Sequence, residues 1–220
     1  MSRNVRGLLT GNNNNHHPVI TYSESERLYD YLKGMLNITR GSLLLLLIIL
    51  FAGLPGVGKT RLANELAPLI NAIVLSTDKL RKELIAKPTY TREEKQLIYD
   101  VMLLIARYLH DAAVIAQTNC ILDATFNTEN SRKIAKEKLA IGPQTQIYIV
   151  ECTCPESIVI SRLSARRGDY SDADIDIYRK MKQAYEPVKE MHKHIVIDTS
   201  QDPKMNAELI KNWIFEKNQK

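Results

Sequence analysis

The sequence predicts an α/β domain in three layers: a parallel sheet of about five strands, helices on both faces and a small helical lid. Three observations predict it. Short apolar runs alternate with longer helical patterns from Leu43 onward. The runs are continuous where a half-exposed strand would alternate, which is the pattern of strands buried on both faces of a parallel sheet. A glycine-rich turn, GLPGVGKT at 53–60, joins the first run to the first helical pattern.

Each element has its own signal. Leu44–Ala52 is an unbroken apolar run, well short of the ~20 residues of a spanning helix, so it reads as the first strand. Ala72–Leu75, Cys120–Ala124, Gln146–Glu151 and Ile195–Asp198 supply the other strands. Helical periodicity covers Lys59–Ile70, Glu93–Ala116, Glu129–Leu139, Glu156–Arg167, Asp172–Glu186 and Lys204–Phe215. Thr91 and Glu94 have capping-box spacing at the start of the long helix, and Ser171 with Asp174 gives a weaker form of that signal. The 220 residues then divide into an N-terminal extension, 1–40, and one domain, 41–220. The extension opens polar and Asn-rich, with the pair His16 and His17. From Ser23 to Ile38, Leu28, Tyr31, Leu32, Met35 and Leu36 recur at helical spacing. That is an amphipathic helix docked on the main body or on a partner chain.

Composition narrows the class. A hydrophobic share of 45% excludes a disordered chain, and a net charge of +5 permits an anionic substrate without the basic stripe of a duplex-DNA binder. Cys120, Cys152 and Cys154 are too few for a disulfide scaffold, and the C-x-C pair lacks the other ligands of a zinc site. With no leader-like start, the expectation is a cytoplasmic chain with reduced thiols and no membrane segment.

Gly53-Leu54-Pro55-Gly56-Val57-Gly58-Lys59-Thr60 matches G-x-x-x-x-G-K-[ST] at every required position, between a strand and a helix. The glycines let successive N–H groups point inward at phosphate oxygens, and the helix beginning there adds its partial positive charge. Lys59 reaches the β- and γ-phosphates, and Thr60 is placed to ligate Mg²⁺; Arg61 follows on the same helix turn. Asp123 closes the apolar run Cys120–Asp123, where a nucleotide-binding protein of this type holds its magnesium through water. ATP and Mg²⁺ are the expected cofactors.

Asp78 and Arg81, at i and i+3 after the second strand, share one helix face. A carboxylate there can take the proton of an alcohol attacking the γ-phosphorus, although the position equally suits an acidic first-turn residue. Arg162, Arg166 and Arg167 fall in six residues, with Arg162 and Arg166 on one face. They can meet phosphate charge with forked donors or form a solvated basic face.

GLPGVGKT, STDKLRKEL, ILDATFN and CPESIVISRLSARRGD together resemble the P-loop kinase domain of phage-type polynucleotide 5′-kinases, and equally the wider group of AAA-labelled predicted kinases. The resemblance runs from about Leu44 to Ile214. It implies the P-loop NTPase fold and an ATP-dependent phosphotransferase. It also implies Asp78 as general base, Arg81 touching the acceptor or its phosphate, and lid arginines among Arg162, Arg166 and Arg167. Asp198-Thr199-Ser200 would lie near the nucleotide base. Lys79 departs from the family, which often carries a second acidic residue there. The absence of N-K-x-D disfavours a GTPase. The acceptor is a polynucleotide 5′-hydroxyl, or a small molecule or nucleotide sugar; a nucleotide-binding switch that transfers nothing is the reading from another class. Around Asp78, six basic residues (Lys79, Arg81, Lys82, Lys87, Arg92, Lys95) outnumber Glu83, Glu93 and Glu94, which favours an anionic acceptor.

Overall fold

Five parallel strands form one sheet in the order β2-β3-β1-β4-β5, in a computed structural model that describes residues 46–116, 118–140, 145–165, 174–189 and 193–218. The strands are β1 Leu46–Ala52, β2 Ala72–Ser76, β3 Asn119–Asp123, β4 Thr145–Thr153 and β5 His194–Asp198. The helices are α1 Lys59–Leu69, α2 Thr77–Leu84, α3 Arg92–Ala116, α4 Glu129–Leu139, α5 Glu156–Ala165, α6 Ile175–Gln183 and α7 Pro203–Asn218. The three-layer α/β architecture is therefore the one its apolar runs predict. The extension with His16, His17 and the Ser23–Ile38 pattern lies outside the described residues, as do Arg166 and Arg167.

Alternation along β1 splits the core in two. Leu47, Ile49 and Phe51 face Leu62 and Leu66 of α1 and Ile210 and Ile214 of α7. Ile48, Leu50 and Ala52 face Met102 and Ala106 of α3 and Leu139 of α4. β1 is buried from Leu47 to Ala52, and a strand covered on both faces has no polar face to show, which is why its sequence does not alternate. The chain crosses from β1 to β2, returns to β3 beside β1, and then continues to β4 on the other flank. Ligands of open α/β sheets bind at the carboxyl ends beside such a reversal. The register brings those ends level: Phe51 pairs with Asp123, and Ser76 pairs with Asp123 from the other side.

α2, Thr77–Leu84, is a helix outside the ranges given by periodicity, and three further details differ. α6 begins at Ile175 and not Asp172, because Asp174 is itself the N-cap, its carboxylate accepting the Ile177 N–H at 2.8 Å. It ends at Gln183 and not Glu186, because the chain beyond it is tied elsewhere. The buried Arg132 donates to the carbonyls of Phe126, Glu186 and Pro187 at 2.8, 2.8 and 3.1 Å, while Tyr185 Oη donates to the buried Glu151 at 2.7 Å. The third detail is at the start of α3. Glu94 N–H donates to Thr91 Oγ1 at 3.2 Å, but the Glu94 carboxylate does not return to Thr91. It turns inward to an ion pair, so the expected capping box is only half made.

Candidate active site

The loop 53–58 is shaped by backbone that only glycine accepts freely. Gly53, Gly56 and Gly58 have φ of +142°, +80° and +104°. A Cβ on Gly53 would lie 2.6 Å from the Cys152 carbonyl oxygen, and one on Gly56 would lie 2.9 Å from side-chain atoms of Val159 and Leu163. The loop therefore packs against the end of β4 and the face of α5 with no room for a side chain. α1 starts at Lys59 directly after it, so the helix N-terminus opens into the loop. The Lys59 ammonium crosses the loop and donates to the carbonyls of Gly53 and Leu54, both at 2.9 Å.

Thr60 and Asp123, each expected at a magnesium, meet in the folded chain. Thr60 Oγ1 donates to Asp123 Oδ2 at 2.6 Å. Asp123 is buried at the level of Ser76 and Phe51, and burial pushes its carboxyl above the usual range. The nearby Lys59 charge and hydrogen bonds from Thr60 and Ser76 oppose that rise, and the Asp78 charge adds to it.

Asp78 stands in the first turn of α2, half-exposed, at the carboxyl end of β2. Its field reaches both Asp123 and Tyr99, and Tyr99 Oη lies 3.2 Å from Thr125 Oγ1 in the turn after β3. Asp78 Oδ1 accepts from Arg81 Nη1 at 3.2 Å. Arg81 is only 6% exposed and does not reach outward. Its Nε lies 3.0 Å from Glu94 Oε1, off the line of a hydrogen bond, and its guanidinium carbon sits 4.9 Å above the Tyr90 ring. Glu94 Oε2 accepts from Thr89 N–H at 2.6 Å, Thr89 Oγ1 at 2.8 Å and Tyr90 N–H at 3.0 Å. Burial alone would raise the Glu94 carboxyl; these bonds and the Arg81 charge outweigh it and hold it below the usual range. Tyr90 and Phe126, on the two loops beside Asp78, both have positive φ, +57° and +40°, and strain of this kind gathers at functional sites.

On the other flank Arg162 spans two loops. Nη1 donates to the Val57 carbonyl at 2.9 Å and Nη2 to the Thr199 carbonyl at 2.8 Å. Thr199 Oγ1 also donates to Val57 O and, at 2.9 Å, to Thr153 O. Beside this tie runs a cleft of about 620 Å³, lined by Gly56, Gly58, Arg61, Arg162, Thr199 and Ser200 among others.

Sequence reading missed Glu94. Its helix-start spacing gave a sufficient surface explanation, and nothing in the string shows that a carboxylate 13 residues after Arg81 folds back onto it. It also missed Tyr99 and Thr125, whose only signal is that they flank Asp78 and Asp123 once the sheet is formed.

A family model described as AAA domain matches residues 48–188. Uncharacterized proteins of Mycobacterium tuberculosis and Mycobacterium bovis are 30% identical over 142 residues, which is 59% of this chain and 28% of theirs. The chain thus spans little more than a quarter of the length of these curated relatives. A sugar kinase from a Janibacter species superposes with a TM-score of 0.58 at 18% identity, covering 77% of this chain and 94% of that one. The APS kinase CysC of Mycobacterium tuberculosis, solved with AMPPNP and APS, gives 0.57 at 17% identity over 77% and 97%. These likenesses establish a shared fold.

Proposed function

The chain belongs to the AAA domain family, and from that premise we propose that it is an ATP-dependent kinase transferring the γ-phosphate to an alcohol. One observation carries the reading: a half-exposed carboxylate, Asp78, held by an arginine, at the strand end level with Asp123. Binding a nucleotide needs no such group; taking a proton from an attacking hydroxyl does.

In the proposed reaction the 53–58 amides and Lys59 hold the phosphates, while the cleft beside Arg61, Arg162 and Thr199 takes the nucleoside. Asp78 Oδ1 is occupied by Arg81, which leaves Oδ2 to accept the acceptor proton. The acceptor oxygen bonds to the γ-phosphorus, the bond from that phosphorus to the bridging oxygen breaks, and ADP leaves. At least one of Arg162 and Arg166, helped by Arg167, supplies donors to the charge that develops on the transferring group; for Arg162 that means leaving the Val57 and Thr199 carbonyls. Arg81 serves here as a positioning residue for Asp78, since its own guanidinium is buried.

Thr60 and Asp123 suit magnesium: a hydroxyl and a carboxylate in contact, with a buried charge that a cation would compensate. When bound, the ion offsets phosphate charge. The domain is taken as residues 41–220, with 1–40 as an extension.

For the acceptor, Arg81 and Glu94 neutralise each other and Lys79 pairs with Glu83, so that around α2 and the start of α3 the exposed Lys82, Lys87, Arg92 and Lys95 outnumber Glu93. That surface supports an anionic alcohol, such as a polynucleotide 5′ end, over a neutral one. The test is γ-labelled ATP with magnesium, offered to 5′-hydroxyl oligonucleotides, nucleosides, nucleotide sugars and simple sugars. Label should move to an alcohol, and to anionic members first. Release of labelled phosphate at one rate with every member, none of it labelled, would make the protein an ATPase instead.

A further inference from the structure

Away from the proposed nucleotide cleft, an apolar groove lies open. It runs along α7 beside the edge strand β5, with a volume of about 710 Å³; Ile195, Met205, Leu209 and Trp213 supply its apolar lining, and polar residues of α7, Glu208 and Asn212 among them, share it. Met205 is 74% exposed and Leu209 50%. On α7 the spacing 205, 209, 213 is a single stripe at i, i+4, i+8, the face a helix presents to another helix. The opposite stripe, Ala207, Ile210 and Ile214, is wholly buried against α1 and the sheet. So α7 is apolar on two faces: α1 and the sheet cover one, and on the other Trp213 reaches the core, edge-to-face on Tyr148, while Met205 and Leu209 do not. A helix that already has its core does not need Met205, Leu209 and the outer edge of Trp213 for its own stability.

We infer that this groove is the docking site of the chain's own segment Ser23–Ile38. The sequence supplies the matching element. Leu28, Tyr31, Leu32, Met35 and Leu36 form one apolar stripe, with Glu26, Asp30 and Lys33 on the opposite side. Ser23 and Glu26 have the S-x-x-E spacing of a capping box that would start such a helix. From Leu28 to Leu36 a helix rises about 12 Å, and from Met205 to Trp213 α7 offers the same rise, about 12 Å at 1.5 Å per residue.

The connection is also feasible. The described chain begins at Leu46 of β1, and β5 lies two strands away, across β4. That is about 10 Å sideways, and stepping out to the helix layer adds about 10 Å more. Residues 39–45 can span roughly 23 Å when extended, enough for the segment to reach the groove of its own chain. Docking would also place the segment beside β5, an edge strand whose unpaired side would otherwise invite pairing with other chains.

The test is hydrogen exchange on the full chain. Amides of 23–38 should exchange roughly tenfold or more slowly than in the isolated peptide. Leu209→Glu, a change at a half-exposed position far from the nucleotide site, should return them to the peptide rate while leaving protection of β1 and α1 unchanged. Equal exchange in the full chain and the peptide overturns the inference. In a second measurement, Met35→Cys with Leu209→Cys should cross-link within one chain in a species that light scattering shows to be monomeric. A cross-link found only between two chains would mean that a second copy fills the groove, and that too overturns it.

Discussion

Asp123 and Glu94 are both buried carboxylates within the same site, and they titrate in opposite directions. Asp123 is pushed up by burial that its Thr60, Ser76 and Lys59 neighbours do not overcome. Glu94 is held down because two N–H groups, a hydroxyl and the Arg81 guanidinium do overcome it. The difference separates two kinds of construction. The half proposed for the nucleotide leaves a charge under-compensated, as suits a place that receives a cation with its phosphates. The half proposed for the acceptor closes its charges on one another, Asp78 to Arg81 to Glu94, and so fixes the one of the two carboxylates that stays half-exposed. One half is built to be completed by a ligand, and the other to hold a side chain still.

The sharpest way to break this contrast is Asp78→Asn. It keeps the shape and removes the proton acceptor, so kcat should fall by ~10²–10⁴-fold with ATP affinity little changed. Measured with the true acceptor, an equal loss of ATP affinity would show that the two halves are not separable.

Lys59→Ala acts on the other half. The ammonium is held by Gly53 and Leu54 carbonyls and is not needed to fold the loop, whose shape comes from glycine backbone. Loss of one positioned donor to the phosphates should cost about 10²–10³-fold in turnover and weaken ATP. A folded variant with unchanged ATP binding by calorimetry would remove the phosphate role from the loop.

The contrast also explains what the sequence could show. The loop 53–60 depends on glycine conformation and on a helix that starts at Lys59, both local, so its spacing alone places it. Asp123 was legible because an apolar strand ends in it. Asp78 and Arg81 were legible as a pair at i, i+3, but the inward turn of Arg81 was not. That turn depends on Glu94, Thr89 and Tyr90, which come together only when α2 and α3 pack. The exit of α6 was hidden in the same way: Arg132 looks like a surface charge, yet it is fully buried and ties down 186–187. Local patterns carry period and turn chemistry; they do not carry which charge is buried with which.

Glu94→Gln sharpens the acceptor side. It leaves the buried Arg81 with Asp78 as its only carboxylate, so stability should fall by about 2–4 kcal/mol, somewhat less than the ~3–5 kcal/mol of a buried pair broken outright, because Asp78 stays. The pH dependence has a fixed sign. A depressed carboxyl contributes stability that is present above its unfolded pKa, near 4.5, and is lost as pH falls through the lower folded value. Acid unfolding of the wild type should therefore show a loss below about pH 4.5 that the variant lacks. The kcat should fall several-fold with the freed Asp78, and Glu94→Asp should restore part of it. A variant with wild-type stability and an unchanged acid limb would reduce Glu94 to a capping residue.

The smallest expected effect is the most discriminating, because its sign is opposite. Asp123→Asn removes a charge that burial disfavours, and the amide oxygen can still accept from Thr60. Lys59 loses a charged neighbour but keeps both of its carbonyl partners. The nucleotide-free protein should therefore unfold at the same temperature or slightly higher, a change of zero to about 1 kcal/mol. What should disappear is the part of ATP stabilisation that requires magnesium, read as the difference in Tm between ATP with magnesium and ATP with a chelator. If Asp123→Asn destabilises the free protein as much as Glu94→Gln does, the carboxylate is architectural, and the two halves of the site are built alike.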